Sequence, residues 1–381
     1  MKNKFLLGLA YLLLAMAPVA TSYANTGTPV NKIIFFGDSL SDNGNLFARD
    51  FGFLPKSPPY FDGRFTNGTV WTEKVSAWVG STWHLPQAAN IYATGGSTAG
   101  LHVGKYLPYT LSAQYNNYWL RTNTAEGEHT LFIIWIGAND YLPMAGNDDA
   151  DATSTTVVDD IQYVINQLIK YNNAKNFLIV NLPDVSLTPR VLTSEIAVQK
   201  KLHEAVMLHN TKLATAVLLT QKKNPDITIQ LFNAYDILNT LFYTPDIINQ
   251  QYGSHITNTA TACWQGGMTL KGKINNEMNQ EDLIREQFIN YLQQHEKALG
   301  ANSRAMMNDS QLDVFSFVKA IAQNPDLSAA YDVSKQAEEG FQPCTDPNNR
   351  LYWDSIHPSA AVHEIITKAM TNFIEQHYQH Q

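Results

Sequence analysis

Three short apolar runs occur along the chain at residues 33–36, 131–136 and 176–181, and each predicts a β-strand buried on both faces. Residues 227–232 predict another strand. Other stretches repeat apolar residues at helical spacing, namely 69–79, 157–171, 194–220 and 362–374. Strands that alternate with helices favour right-handed βαβ units. The pattern therefore predicts an α/β fold, in which a parallel sheet carries helices on both faces.

Residues 266–340 depart from this alternation. Two amphipathic helices are predicted there, near 281–298 and 311–322, and no strand. The polar connections 271–281 and 324–339 are expected to be accessible to proteases. We interpret the region as a helical insertion within a single domain.

The first 24 residues are predicted to be a signal peptide. Lys2 and Lys4 precede an apolar stretch at 5–17, and Ser22-Tyr23-Ala24 has the small residues of a cleavage site. A membrane anchor is the alternative, but the apolar stretch is too short to span a bilayer. The expected mature domain is 25–381, and loss of the two lysines takes the formal net charge from −8 to −10. A mildly acidic surface argues against nucleic acid as a partner.

Cys263 and Cys344 are the only cysteines. In an exported protein two cysteines most simply form one disulfide bond, and two free thiols are the alternative. A bond would enclose the insertion, at about 264–343.

Groups suited to catalysis follow three predicted strands, namely 33–36, 131–136 and a strand that ends within 90–97. Ser39 offers a hydroxyl, Gly95 a backbone N–H that a bound oxygen can approach, and Asn139 a side-chain amide. An acyl-transfer enzyme needs a nucleophile and donors directed at the developing oxyanion. Each residue also has a simpler interpretation, since Ser39 and Asn139 can cap helices and a glycine can serve a turn. Their recurrence at successive strand ends favours the catalytic hypothesis.

A general base is predicted at His357, just before the last helix. Asp354 is three residues away, close enough to orient the imidazole and to stabilise its charged form. The alternative is a helix-start aspartate beside an unrelated histidine.

These residues lie in four blocks that resemble the GDSL lipolytic enzymes of the SGNH hydrolase superfamily. The blocks are Gly37-Asp38-Ser39-Leu40-Ser41-Asp42, Asn90-Ile91-Tyr92-Ala93-Thr94-Gly95-Gly96, Gly137-Ala138-Asn139-Asp140 and Asp354-Ser355-Ile356-His357-Pro358. The resemblance implies a flavodoxin-like three-layer sheet and a Ser39–His357–Asp354 triad. It also implies an oxyanion hole formed by the N–H groups of Ser39 and Gly95 and by the Asn139 amide.

Within that family, the chain resembles secreted bacterial phospholipases A, lysophospholipases and glycerophospholipid:cholesterol acyltransferases. The resemblance implies a secreted serine hydrolase that acts on lipid or lysophospholipid esters at a membrane surface, needs no metal or organic cofactor, and transfers acyl chains to a sterol or other alcohol. The alternatives are a carbohydrate acetyl esterase and a non-catalytic secreted binding protein on the same fold.

The insertion has two interpretations. It is either a decoration or a lid whose apolar residues cover an acyl pocket, among them Leu283, Ile284, Phe288, Tyr291 and Leu292. Some related secreted enzymes are activated by a cut inside a disulfide loop. The resemblance therefore also implies an activating protease as a partner.

Overall fold

The computed structural model describes residues 28–85, 88–100, 110–122, 124–264, 280–299 and 314–380. The predicted signal peptide, most of the predicted connection 271–281 and the start of the predicted helix 311–322 lie outside the described residues. No helix within the described ranges is long and apolar enough to cross a membrane.

A five-stranded parallel sheet forms the centre of the fold, in the order β2-β1-β3-β4-β5. This is the flavodoxin-like order, so the predicted fold class is confirmed. Strand β1 pairs along its full length with the central strand β3, from Lys32 opposite Thr130 to Gly37 opposite Trp135. The strands of this sheet are β1 (Lys32–Gly37), β2 (Ala89–Ile91), β3 (Thr130–Trp135), β4 (Asn176–Val180) and β5 (Thr228–Phe232).

Helices cover both faces of this sheet. Helices α3, α5 and α7 pack together on one face, and α2 and α13 pack on the other. The helices of the main fold are α1 (Asn45–Arg49), α2 (Trp71–Thr82), α3 (Leu111–Arg121), α4 (Ala138–Tyr141), α5 (Ala150–Asn172), α6 (Pro189–Leu192), α7 (Ile196–Lys223), α8 (Ala234–Tyr243), α9 (Pro245–Tyr252) and α13 (Ala360–His377). The apolar runs of β1 and β3 are buried between the layers, which explains why they lack polar alternation.

The insertion contributes helices α10 (Gln280–Leu299), α11 (Val314–Gln323) and α12 (Pro325–Glu338). The interpretation of 324–339 as an accessible polar connection is wrong, because α12 is mostly buried. Asn324 caps it through hydrogen bonds from the N–H groups of Asp326 and Leu327, and Pro325 occupies its first turn. An Asn-Pro pair is a helix-start signal that the sequence does contain.

The base of the insertion is fixed beside the last block of the sequence. Cys263 and Cys344 form the predicted disulfide bond. A short two-stranded parallel sheet of β6 (Asn258–Ala262) and β7 (Arg350–Tyr352) joins the same two segments. The N–H of Trp264 donates to the carbonyl of Trp353, 3.0 Å away. The insertion therefore leaves the main fold next to Asp354 and His357.

A second hydrophobic cluster joins the insertion to the loop that follows β1. Ile284 and Phe288 of α10 and Tyr331 of α12 pack in it with Leu54 and Tyr60. The insertion is thus docked onto the main fold by a buried apolar contact.

Candidate active site

Ser39 lies two residues beyond the end of β1, at the edge of the sheet where flavodoxin-like folds bind their ligands. A tight turn follows, in which the N–H of Ser41 donates to the carbonyl of Asp38 at 3.0 Å. Gly37 is needed before this turn, because a Cβ there would lie 2.7 Å from the carbonyl oxygen of Trp135. Close packing of β1 against β3 therefore fixes the place of Ser39.

Asp354 and His357 share a turn that follows β7. The Asp354 Oδ1 accepts the N–H groups of Ile356 at 2.7 Å and of His357 at 2.8 Å. The N–H of Trp353 donates to the carbonyl of His357 at 2.8 Å and closes the turn. The three-residue spacing seen in the sequence is thus the spacing of a turn held by an aspartate side chain.

The structure brings these residues together with Ser39. His357 Nε2 lies 3.1 Å from Ser39 Oγ, and His357 Nδ1 lies 2.6 Å from Asp354 Oδ2. Burial opposes ionisation of Asp354, but His357, the turn N–H groups and Tyr60 outweigh it and lower the pKa of this carboxyl. An ionised Asp354 holds the proton of His357 on Nδ1 and directs Nε2 at Ser39, as general-base catalysis requires.

Tyr60 is a further partner of Asp354 that the sequence analysis did not assign. Its hydroxyl donates to Asp354 Oδ2 at 2.5 Å, and the whole side chain is buried. Burial and the Asp354 carboxylate raise the pKa of Tyr60, so it remains a donor. The oxygen that orients His357 is therefore itself held by the loop after β1.

The prediction that the N–H of Gly95 contributes to the oxyanion hole is wrong, because this N–H points away from Ser39. That N–H donates to Asp42 Oδ2 at 2.7 Å, whereas the N–H of Gly96 faces the space beside Ser39. Gly96 has a φ of 74°, in the left-handed region that favours glycine. A Cβ at Gly95 would lie 2.3 Å from the Phe65 ring, so this glycine serves packing. Of these two glycines, Gly96 is therefore the one whose N–H lies beside Ser39.

Asn139 is held at the edge of the same space. It lies on α4, directly after β3, and its Nδ2 donates to the carbonyl of Ser97 at 3.0 Å. Its Oδ1 finds no hydrogen-bond partner among the described residues. An amide nitrogen carries two N–H groups, so one is left for a bound oxygen.

Asp42 braces the two loops that carry these groups. Its buried carboxylate accepts the N–H groups of Gly44 at 2.8 Å and Leu46 at 3.1 Å, in its own loop. It also accepts the N–H of Gly95 from the loop after β2. Asp42 thereby fixes the distance between Ser39 and Gly96.

An unexpected carboxylate occupies the centre of the site. Ser39 Oγ donates to Asp326 Oδ1 at 2.8 Å, and the N–H of Gly96 donates to Asp326 Oδ2 at 2.9 Å. His357 Nε2 forms an ion pair with the same Oδ1. Asp326 belongs to the first turn of α12. The sequence analysis did not include this residue in the site.

The charge state of the site follows from this contact. Burial alone would lower the pKa of His357, but the carboxylates of Asp354 and Asp326 outweigh it and raise the pKa to about 10. Burial, reinforced by Asp326, raises the pKa of Asp38 to about 8. Both shifts favour the protonated forms, which are the imidazolium of His357 and the neutral acid of Asp38.

A narrow cleft opens beside Ser39 and Asn139. Most of its wall is apolar and comes from the segments after β3, β4 and β5. Its apolar residues include Leu142, Val185, Leu187, Leu238, Phe242 and Ile366. A cleft with this lining suits a hydrophobic ligand whose polar end lies at Ser39.

Residues 33–370 match the family model of the GDSL-like lipases and acylhydrolases. The chain is 28% identical to the phosphatidylcholine-sterol acyltransferase of Aeromonas hydrophila, over 96% of this chain and 97% of that protein. It is 31% identical to the secreted effector protein SseJ of Salmonella typhimurium, over 56% of this chain and 49% of that protein. It is 28% identical to the thermolabile hemolysin of Vibrio parahaemolyticus, over 57% of this chain and 49% of that protein.

Proposed function

Because the chain belongs to the family of GDSL-like lipases and acylhydrolases, we propose that it is a secreted phospholipase A or lysophospholipase with Ser39, His357 and Asp354 as its catalytic triad. Membership makes the chain an ester-hydrolysing enzyme that acts on lipid esters by hydrolysis or acyl transfer. The observation that carries the finer assignment is the position of the Ser39–His357 pair at the mouth of the apolar cleft.

The proposed reaction follows from the hydrogen bonds of the site. Neutral His357 takes the proton of Ser39 Oγ through Nε2, and Oγ attacks the ester carbonyl carbon. The oxyanion is held by the N–H groups of Ser39 and Gly96 and by the Asn139 amide. His357 then protonates the leaving alcohol, and an acyl-enzyme remains. Water or a second alcohol removes the acyl group by the reverse proton path.

The lining of the cleft favours a lipid acyl chain over an acetylated sugar. A sugar site needs polar groups for the hydroxyls. The wall beside Ser39 does include polar residues such as Asp184, Thr188 and Asn239, but most of it is apolar. Burial of a chain there would contribute about 0.8 kcal/mol for each methylene group. We therefore propose that the acyl chain occupies this cleft.

Export and acyl transfer are parts of the same proposal. The disulfide bond supports an oxidising compartment, and a similar protein is named a secreted effector. A relative that matches nearly the whole chain is named an acyltransferase that uses a sterol. We propose that the acyl-enzyme accepts a sterol or another alcohol in place of water.

The test of this function is acyl release from purified lipids. The protein should release fatty acid from phosphatidylcholine or lysophosphatidylcholine vesicles, and added cholesterol should yield sterol ester. An acetylated oligosaccharide serves as the competing substrate. Faster release of acetate than of fatty acid would contradict the lipid assignment.

We further propose that the insertion is a lid opened by a protease. We expect one cut between Gly266 and Gly340 to leave two fragments joined until reduction, and to raise turnover of long-chain lipids more than that of a small soluble ester. The docking of α10 and α12 through the second hydrophobic cluster supports this expectation. The measurement compares both substrates before and after a cut verified by reducing and non-reducing gels. If the cut accelerated turnover of both substrates equally, the insertion would not be a lid that controls access of the lipid.

Replacement of Tyr60 by phenylalanine tests the support of the triad. The Asp354 carboxylate would lose one donor, and we expect kcat/KM of the cut protein to fall about tenfold, the scale of a hydrogen bond to a charged group. Since Asp354 becomes more basic, the acidic limb of the pH profile should move to higher pH. The control is Tyr291→Phe. This variant removes a hydroxyl that donates a hydrogen bond to the carbonyl of Phe51, a residue packed against the second hydrophobic cluster. An unchanged profile for Tyr60→Phe would assign Tyr60 to packing alone.

A further inference from the structure

The carboxylate of Asp326 occupies the position that the proposed reaction reserves for the substrate. It accepts hydrogen bonds from Ser39 Oγ and the Gly96 N–H, and it pairs with His357. We propose that Asp326 is an internal inhibitor that blocks the oxyanion site and the general base until α12 moves away. This inference rests on the proposed function, because it assumes the roles given to Ser39, Gly96 and His357.

The contact disables each part of the reaction separately. Ser39 directs its proton to Asp326, so the hydroxyl is not activated by His357. His357 gives its Nε2 proton to the same ion pair and cannot accept another. The Gly96 N–H already donates to Asp326, so it cannot donate to an oxyanion. Because Ser39 Oγ and His357 Nε2 remain 3.1 Å apart, removal of the carboxylate alone leaves a formed pair.

The segment around Asp326 is built to hold this contact. Asn324 Nδ2 donates to the carbonyl of Gly96 at 3.0 Å, so Asn324 and Asp326 bind Gly96 from both sides. Asn324 also caps α12, whose first turn carries Asp326. Leu327 and Tyr331 anchor the helix in the second hydrophobic cluster. The position of the carboxylate is therefore fixed by a cap, by Gly96 and by apolar docking.

The block should weaken as the pH rises. In the blocked site the pKa of His357 is about 10, and departure of Asp326 removes one of the two carboxylates that raise it. Opening thus releases a proton from His357, so the blocked state loses stability as the pH rises toward 10. The titratable and charged groups that face His357 or its partners are Asp326, Asp38, Asp354, Tyr60, His363, Arg190 and Asp332.

The experiment measures how fast Ser39 reacts in the uncut chain. A fluorophosphonate that labels nucleophilic serines reports access without reference to any lipid, and a short-chain nitrophenyl ester reports turnover. We expect Asp326→Ala and Asp326→Asn to raise the labelling rate about 10–100-fold, the factor expected for one or two lost charge-assisted hydrogen bonds. Having two variants keeps the test valid if one does not fold.

The matched control is Asp332→Asn, which makes the same chemical change on the same helix. Asp332 is mostly buried and faces Arg190 and Asp354. This variant should label as slowly as the parent. Equal acceleration by Asp332→Asn would show that a loosened helix, and not the Asp326 carboxylate, controls access.

Two further arms test the chemistry of the block. Formate, which has the size of the deleted group, should slow the labelling of Asp326→Ala, and formamide at the same concentration should not. The labelling rate of the uncut parent should rise from pH 7 toward pH 10, whereas that of Asp326→Ala should level off above the ordinary histidine value of about 6.5.

The outcomes separate this inference from the proposed function. Slow labelling of both Asp326 variants beside fast labelling and ester turnover of the protease-cut parent would overturn the inhibitor and leave the function intact. Failure of the cut parent and of every variant to react would overturn the function. Insensitivity of Asp326→Ala to formate would overturn the assignment of a carboxylate site.

Discussion

Replacement of Ser39 by alanine is expected to lower ester turnover of the protease-cut protein by about 10⁴–10⁶-fold, because it removes the nucleophile of the proposed triad, whose members act as a unit. His357→Ala should have a similar effect, and the double variant should be little worse than either single variant. The measurement is kcat on a lysophospholipid together with the thermal melt of each variant.

The control for this prediction lies two residues further along the same turn. Ser41 is buried, and its hydroxyl makes no hydrogen bond within the described residues. Ser41→Ala should therefore keep both turnover and melting temperature near the parent values. If Ser39→Ala retained parental turnover with an unchanged melt, Ser39 would be excluded as the nucleophile.

Asn139→Ala has the second largest expected effect. Loss of one donor to the oxyanion should lower kcat by about 10²–10³-fold and leave KM nearly unchanged, since the contact strengthens only as charge develops. The experiment is a full kinetic analysis of the cut protein on a soluble ester and on a lysophospholipid.

Asn181→Ala provides the comparison, because Asn181 follows β4 as Asn139 follows β3. Its side-chain amide donates to Asn233 Oδ1 and accepts the N–H of Tyr235, so it joins the segments after β4 and β5. We expect this variant to melt at a lower temperature with an unchanged kcat. A rise of KM without a fall of kcat in Asn139→Ala would show that Asn139 binds the ground state of the substrate.

The sheet was predictable because its strands are continuous apolar runs. Residues 33–36 and 131–136 are buried on both faces, so their sequence carries a signal that does not depend on distant contacts. The turn from Asp354 to His357 was equally accessible, since its hydrogen bonds join residues within three positions of each other.

Other parts of the site depend on information that a sequence does not display locally. Which of Gly95 and Gly96 directs its N–H toward Ser39 depends on the local backbone orientation. That orientation is set by the hydrogen bond from the Gly95 N–H to Asp42, 53 positions away in the sequence. Asp326 meets Ser39 across 287 positions, and only the docking of the insertion brings them together. The start of α12 at Asn324 and Pro325 was visible, but its polar residues suggested an exposed connection, whereas most of them are buried and Asp326 reaches Ser39.

Because Asp42 positions the reactive groups, their spacing does not depend on the residues that shape the cleft. Asp42 sets the spacing of the reactive groups from within the loop after β1, whereas Leu238 and Phe242 shape the cleft from α8. Substitutions on α8 can alter which acyl chains fit without moving Ser39 relative to Gly96. Substrate range and chemistry can therefore diverge independently during evolution. A mutant library intended to change chain-length preference belongs on α8 and should keep Asp42 constant.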